Sequence, residues 1–119
     1  ENSRHALSLK PGLNYARMNL GIVHLKKGNY ELAFASYALL LQNNPKLDEY
    51  EGGIRDLLEL QLEFPGLYPF TNFVLGQLFW QQGRYNEAQS AWKKFVSQKF
   101  TETFWQEKAR LLLQIMETE

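Results

Sequence analysis

Two segments of this 119-residue chain repeat one pattern of small and large residues at identical spacings, and no other feature constrains the fold as strongly. In each copy a Leu-Gly pair is followed seven residues later by a second glycine, and then by a tyrosine, an alanine, an aromatic residue and another large apolar residue. Small residues suit places where two antiparallel helices approach closely, and large residues fill the space between them. The copies are Leu20, Gly21, Gly28, Tyr30, Ala33, Tyr37 and Leu40, and Leu75, Gly76, Gly83, Tyr85, Ala88, Trp92 and Phe95.

Apolar residues at three- and four-residue steps predict six helices, over residues 14–27, 30–42, 48–63, 71–82, 85–98 and 102–117. The prolines stand only between these segments, at positions 11, 45, 65 and 69, where a proline ends a helix and does not interrupt it. Asp48 with Glu51, and Thr103 with Gln106, have the spacing of a capping box. The Gly-Gly pair at 52–53 leaves two interpretations open: the first turn frays, or another helix approaches closely there.

The repeated pattern resembles the tetratricopeptide repeat, a helix–turn–helix unit of about 34 residues. The match includes the Leu-Gly pair, the turn glycine with the tyrosine after it, the small alanine, the aromatic residue four positions later and, in the first copy, the terminal Pro45. This resemblance implies an all-α fold, a right-handed α–α superhelix or solenoid of about six antiparallel helices with an irregular middle repeat.

The resemblance also predicts the domain organisation. Residues 1–13 are expected to be the end of a preceding repeat, 14–98 the helical hairpins, and 99–119 a polar-faced C-terminal capping helix of the kind that solenoids need at their ends. Within the hairpins, we assign 14–45 to the first clear copy, 46–68 to a degenerate unit and 69–98 to the second clear copy. The copies lie closer together than two full repeats require, so either the middle unit has lost its first helix or residues 48–63 serve as a divergent first helix.

Composition excludes several classes of partner. The 13 Lys and Arg residues balance 13 Asp and Glu, which argues against nucleic acid, because that affinity rests on basic residues that meet phosphates. The longest apolar stretch, 73–80, is far shorter than the roughly 20 residues that span a bilayer, so membrane insertion is not expected. The first seven residues lack the basic and apolar regions of a signal peptide. We expect a soluble segment and favour the cytoplasm, although no residue identifies the compartment.

Catalytic chemistry is not expected. The chain has no cysteine and two histidines, and it contains no His-x-x-x-His, glycine-rich phosphate loop or Gly-x-Ser-x-Gly motif. We therefore predict no catalytic residues, no metal site, no cofactor and no enzyme activity. His24 lies on the inner side of the first helix, where this family usually carries an aromatic residue, and is expected to pack.

The resemblance implies a binding surface, because the first helix of each repeat lines the concave face in this family. Members that bind the C-terminal carboxylate of chaperones have lysines and asparagines where this chain has Met18, Ile22 and Phe73, so that mode is not expected here. Asn19 matches a position where the family often bonds a ligand backbone. The residues mapped to the concave face are Tyr15, Met18, Asn19, Ile22, Leu25, Lys26, Phe73, Gln77, Trp80 and Gln81.

The sequence therefore predicts a protein-interaction scaffold that binds a peptide or an amphipathic helix of a partner through an apolar, aromatic-containing concave face. Two alternatives remain open, a homo-oligomerisation module and an accessory or regulatory domain of a larger enzyme. For single residues such as Tyr15, Met18 and Phe73, packing against neighbouring helices is an equal alternative to partner binding.

Overall fold

The computed structural model describes residues 13–43, 45–100 and 102–117. These residues form six α-helices and no strand, which confirms the predicted all-α helical-repeat fold. Every predicted helix is present, and each end lies within one residue of its prediction. Of residues 1–13, expected to be the end of a preceding repeat, 1–12 lie outside the described residues and Leu13 is the first residue of a helix. The helices are α1 Leu13–Lys26, α2 Tyr30–Gln42, α3 Leu47–Glu63, α4 Phe70–Gln81, α5 Tyr85–Ser97 and α6 Thr103–Glu117.

The turn glycines of the two copies have the same conformation. Gly28 and Gly83 have φ angles of +80° and +79°, a left-handed region that costs little for a residue without a Cβ atom. Each turn is closed by a hydrogen bond back into the helix. The amide of Asn29 donates to the carbonyl of His24 at 2.8 Å, and the amide of Arg84 donates to that of Phe79 at 2.9 Å.

The Leu-Gly pairs bring the helices of each hairpin together. A Cβ atom added to Gly21 would lie 2.4 Å from Cε2 of Tyr37, and one added to Gly76 would lie 2.1 Å from Nε1 of Trp92. Both distances are shorter than real carbon contacts, so only glycine fits. The glycine of the first helix thus receives the aromatic ring of the second, and α1 packs on α2 as α4 packs on α5.

The described residues divide into two compact units between Arg55 and Asp56. The first contains α1, α2 and residues 47–55 of α3, and the second contains residues 56–63 of α3 with α4, α5 and α6. In the first unit Tyr15 lies over the buried Gly52, since a Cβ atom at Gly52 would be 3.5 Å from the tyrosine ring. This contact favours close approach as the reason for the Gly-Gly pair.

An aromatic cluster forms the core of the second unit. The ring of Phe73 lies 5.3 Å from that of Phe70, 5.6 Å from that of Phe95 and 5.5 Å from that of Trp105. The indole N–H of Trp92 donates a hydrogen bond to the carbonyl of Phe73 at 3.1 Å. The cluster joins α4, α5 and α6, which explains why α6 packs on α5.

Both predicted capping boxes are wrong in their partners. Because α3 begins one residue earlier than expected, Glu49 and not Glu51 occupies the third helical position, and its carboxylate accepts the amide N–H of Lys46 at 2.8 Å. The same carboxylate accepts a bond from the side chain of Asn14 at 3.0 Å. In α6, Gln106 donates to the carbonyls of Phe95 and Gln98 at the end of α5.

Beside its exposed polar residues Glu107, Arg110, Gln114 and Glu117, helix α6 also exposes large apolar residues. Phe104 is 62% exposed and Leu111 is 55% exposed, and Ile115 continues the same stripe one turn later. These positions are separated by seven and four residues, a spacing that places them on one side of a helix. The α6 stripe, defined by Phe104, Leu111 and Ile115, is therefore an exposed apolar surface.

Candidate partner-binding surfaces

Four of the predicted contact residues lie together on the accessible side of α1. Tyr15 is 44% exposed, Asn19 and Lys26 are exposed, and Ile22 is half-buried. Their spacings of four, three and four residues place them on one side of the helix. We call Tyr15, Asn19, Ile22 and Lys26 the α1 face.

Met18 and Leu25 do not belong to that accessible surface. Each is 1% exposed, so a partner could reach neither side chain without opening the core. They lie on the same side of α1 as Gly21, which receives the ring of Tyr37. These two residues therefore pack in the core, which is the alternative to partner binding, and they hold α1 in place beneath the α1 face.

On α4 the structure separates the predicted residues. Phe73 is fully buried within the aromatic cluster and is not accessible to a partner. Gln77 is half-buried, and its Oε1 accepts no hydrogen bond from the described residues. Trp80 is half-buried, with its ring 4.8 Å from that of Tyr85, and Gln81 is exposed. Thus Trp80 and Gln81 remain as neighbouring surface residues at the end of α4.

The sequence did not predict an open pocket of about 410 Å³ in the second unit. The pocket lies where the end of α3, the turn after it, the start of α4 and the end of α5 meet. Its wall is apolar, and its floor carries hydroxyl and amide side chains. The lining residues are Leu58, Gln61, Leu62, Phe64, Pro65, Gly66, Tyr68, Thr71, Asn72, Lys94 and Gln98.

A chain of hydrogen bonds crosses the pocket floor. Gln61 donates from Nε2 to Thr71 Oγ1 at 2.7 Å and to Asn72 Oδ1 at 2.8 Å. Asn72 donates from Nδ2 to Gln98 Oε1 at 2.8 Å. Thr71 and Asn72 are buried, so these bonds satisfy polar groups that would be costly to leave unpaired.

The hydroxyl proton of Thr71 determines which side-chain groups donate and which accept along this chain of hydrogen bonds. Thr71 donates its only hydroxyl proton to the carbonyl of Tyr68 at 2.7 Å, because a carbonyl oxygen cannot donate. Toward Gln61, Thr71 must therefore accept, which turns the Nε2 of Gln61 to it. The second proton of that Nε2 goes to Asn72 Oδ1, so Asn72 presents Nδ2 to Gln98 Oε1. The chain of hydrogen bonds thus uses Nε2 of Gln61 and Oε1 of Gln98. It does not use the acceptor Oε1 of Gln61 or the donor Nε2 of Gln98.

Sequence reasoning missed this pocket because its polar residues come from three helices and have no motif spacing. A signal was present in the polar pair Thr71-Asn72, which stands at the start of an otherwise apolar helical segment. Buried polar side chains in such a position require partners. The sequence alone could not say that Gln61 and Gln98 supply them.

The described residues contain neither a metal-ligand cluster nor a membrane-spanning helix. They contain no group of three His, Cys, Asp or Glu side chains that could hold a metal ion. Within the same ranges, no helix is both long enough and apolar enough to cross a membrane. Burial raises the pKa of the Tyr50 hydroxyl above its ordinary value of 10.0.

Comparisons with known proteins match the two hairpins separately. A tetratricopeptide repeat family model matches residues 5–48, and a second model with the same description matches residues 71–100. Together the two matches span more than half of the chain. The first contains the Gly21–Tyr37 contact and the second contains the Gly76–Trp92 contact. No curated protein and no solved structure gives a significant match.

Proposed function

Because this chain belongs to the tetratricopeptide repeat family, we propose that it is a protein-interaction scaffold that binds a peptide or an amphipathic helix of a partner, with no catalytic role. Repeats of this family generally mediate protein–protein interaction and are typically not catalytic. The observation that carries the proposal is the α1 face, where four accessible side chains share one side of a helix that Met18 and Leu25 anchor in the core.

The α1 face offers complementary contacts to a polypeptide. Tyr15 combines a large apolar ring with a hydroxyl, the type of residue enriched at binding hot spots. Asn19 can both donate to and accept from a peptide backbone. Ile22 adds apolar area, and Lys26 attracts an acidic side chain. Because these residues share one helix, their relative positions are set before binding, which lowers the entropic cost of binding.

Selection from a phage-displayed library of short random peptides tests this proposal. Peptides that bind the full chain should lose about tenfold or more in affinity to the double variant Tyr15→Ala/Asn19→Ala. The matched control is Leu20→Ala/Val23→Ala, which truncates two exposed residues on a different side of the same helix. Equal affinity loss in both variants, or none in the first, would remove the α1 face from the proposal.

Trp80 and Gln81 are proposed as a further contact region on α4. Selected peptides that contact this region should shift the tryptophan fluorescence of the chain when they bind. Trp80→Ala should lower the affinity of these peptides. Phe73 is unsuitable for this test, because its replacement would disrupt the aromatic cluster before it affected a surface.

The α6 stripe favours self-association as a second candidate function. Three large apolar residues on one exposed helix side are a feature of interaction surfaces. If copies of the chain associate there, Phe104→Glu/Leu111→Glu should turn an oligomer into a monomer in light scattering. The exposed Lys93→Glu is the control for added negative charge. A wild-type chain that is monomeric at high concentration would exclude this candidate.

A further inference from the structure

The hydrogen-bond chain in the pocket floor leaves two groups available to a ligand. Neither Gln61 Oε1 nor Gln98 Nε2 bonds to another described residue, and both side chains line the pocket. Because the proton of Thr71 fixes the direction of the chain, the group at Gln61 is an acceptor and the group at Gln98 is a donor. A ligand that fits both must itself offer a donor and an acceptor.

Positive charge stands beside the donor end. Lys94 stands in the last turn of α5, four positions before Gln98, which directly follows that helix, and both side chains line the same pocket. Among the described residues that line the pocket, none is acidic and Lys94 is the only charged one. An ammonium group beside an amide N–H₂ favours a negatively charged acceptor, and a carboxylate suits both donors.

The pocket wall requires an apolar group next to that carboxylate. Leu58, Leu62 and Phe64 line it and are all exposed, Leu62 to 80%. Because these lining side chains are exposed, the pocket is open to solvent on their side and accessible to a peptide. Burying them against a ligand side chain would recover apolar surface now in water.

We propose that this pocket binds an extended peptide segment in which an aspartate or glutamate follows a bulky apolar residue. The carboxylate accepts from Lys94 Nζ and Gln98 Nε2, the apolar side chain packs on Leu62 and Phe64, and a backbone N–H donates to Gln61 Oε1. The pocket shares no residue with the α1 face, so it is a separate site and its test has a separate outcome.

Nuclear magnetic resonance titration of the full chain with synthetic peptides tests this site. The first probe is acetyl-Gly-Ser-Gly-Leu-Asp-Gly-Ser-Gly-amide, and the second replaces its aspartate by asparagine. At low salt the aspartate peptide should shift the side-chain amide signals of Asn72 and Gln98, with an affinity about three- to fivefold above that of the asparagine peptide. Equal affinities of the two peptides would overturn the proposal.

A third probe, acetyl-Gly-Ser-Gly-Leu with a free C-terminal carboxylate, distinguishes the source of the charge. This probe should bind more weakly than the aspartate peptide, because its carboxylate belongs to the leucine itself, whereas the proposed contacts use the side-chain carboxylate of the following residue. If only the third probe binds, the site recognises a chain terminus and the proposal is wrong.

Two matched pairs of variants locate the site. Lys94→Ala should weaken the aspartate peptide about three- to fivefold, whereas Lys93→Ala, an exposed neighbour outside the pocket lining, should not. Leu62→Ser should weaken it, whereas Leu67→Ser, also exposed and outside the lining, should not. All four side chains are exposed, so folding should persist, and circular dichroism checks this. An equal effect within either pair would contradict the proposed contacts.

Discussion

The two hairpins share one pattern of small and large residues, but their first helices differ in how many residues they bury. In the second unit, nine of the twelve residues of α4 are buried, including Phe70, Phe73 and Asn72. In the first unit, α1 buries Met18, Gly21 and Leu25 and leaves several large residues exposed, Tyr15 and Leu20 among them. The glycine–aromatic contact between the helices is nonetheless present in both.

The repeat pattern therefore determines the contact between the two helices of a hairpin, but not how many other helices contact that hairpin. Helix α4 is contacted by α5, by Trp105 of α6 and by Gln61 of α3. Within the first unit, α1 is contacted by α2 and by the first turns of α3. A helix covered on more sides contributes more to the core, and a helix covered on fewer sides can present a binding surface.

The largest difference between the units should come from truncating their core residues. Phe73→Ala should lower the free energy of unfolding by about 3–5 kcal/mol. Met18→Ala in α1 should cost about 2–5 kcal/mol and less than the first variant, because it removes no ring–ring contact. Urea unfolding followed by circular dichroism measures both. A greater loss from Met18→Ala would show that the first core is the more tightly packed.

The glycines that receive the aromatic rings allow a sharper comparison, since the same methyl group is added in each unit. Gly21→Ala should destabilise the chain by about 1–3 kcal/mol, because the ring of Tyr37 must move. Gly76→Ala should cost more, since the displaced atom is the Nε1 of Trp92, which donates to the carbonyl of Phe73. Thermal unfolding of the two variants tests this order. Equal losses would mean that the indole finds another acceptor.

Two asparagines extend the comparison to polar contacts: Asn72 in the second unit is buried, and Asn14 in the first is half-buried. Asn72→Ala removes partners from both Gln61 and Gln98 and should cost about 1–3 kcal/mol. Asn14→Ala should cost less, since the carboxylate of Glu49 keeps the amide N–H of Lys46 as a donor. Urea midpoints compare the two. A smaller loss from Asn72→Ala would show that the pocket floor reorganises around the missing amide.

The smallest expected effect concerns an ion pair that only the second copy carries. Arg84 donates to both carboxylate oxygens of Glu87, at 2.6 and 2.5 Å, whereas the equivalent positions of the first copy are Asn29 and Leu32. The hydrogen bond from Arg84 lowers the pKa of Glu87 from its ordinary value of 4.5. The stabilisation by this pair is therefore present above pH 4.5 and is lost as the pH falls through the lowered folded-state pKa.

Unfolding of Glu87→Gln as a function of pH measures this small contribution. The variant should lose slightly less stability than the wild type on acidification below pH 4.5, because it has no carboxylate to protonate there. The surface position keeps the effect small. A wild-type and variant pair with parallel pH profiles would mean that the ion pair does not stabilise the fold.

Part of the candidate site was predictable because helical spacing places residues on one side of a helix before any neighbour is known. Tyr15, Asn19, Ile22 and Lys26 are an example, since their register alone groups them. The resemblance groups Met18 and Leu25 with them, and only the 1% exposure of each side chain separates these two. Spacing along one helix cannot say which side a neighbouring helix will cover.

Sequence patterns alone predict the six helices, the two glycine turns and the close approach of paired helices at the small residues. Each of these depends on residues near one another in the chain, where propensity, periodicity and the φ angle of glycine act locally. The tertiary structure decided which residues on those helices remain accessible, as the contrast between Tyr15 and Phe73 shows. It also decided that Gln61, Asn72 and Gln98 meet in one pocket floor. Such meetings depend on packing between helices distant in the chain, which no local pattern encodes.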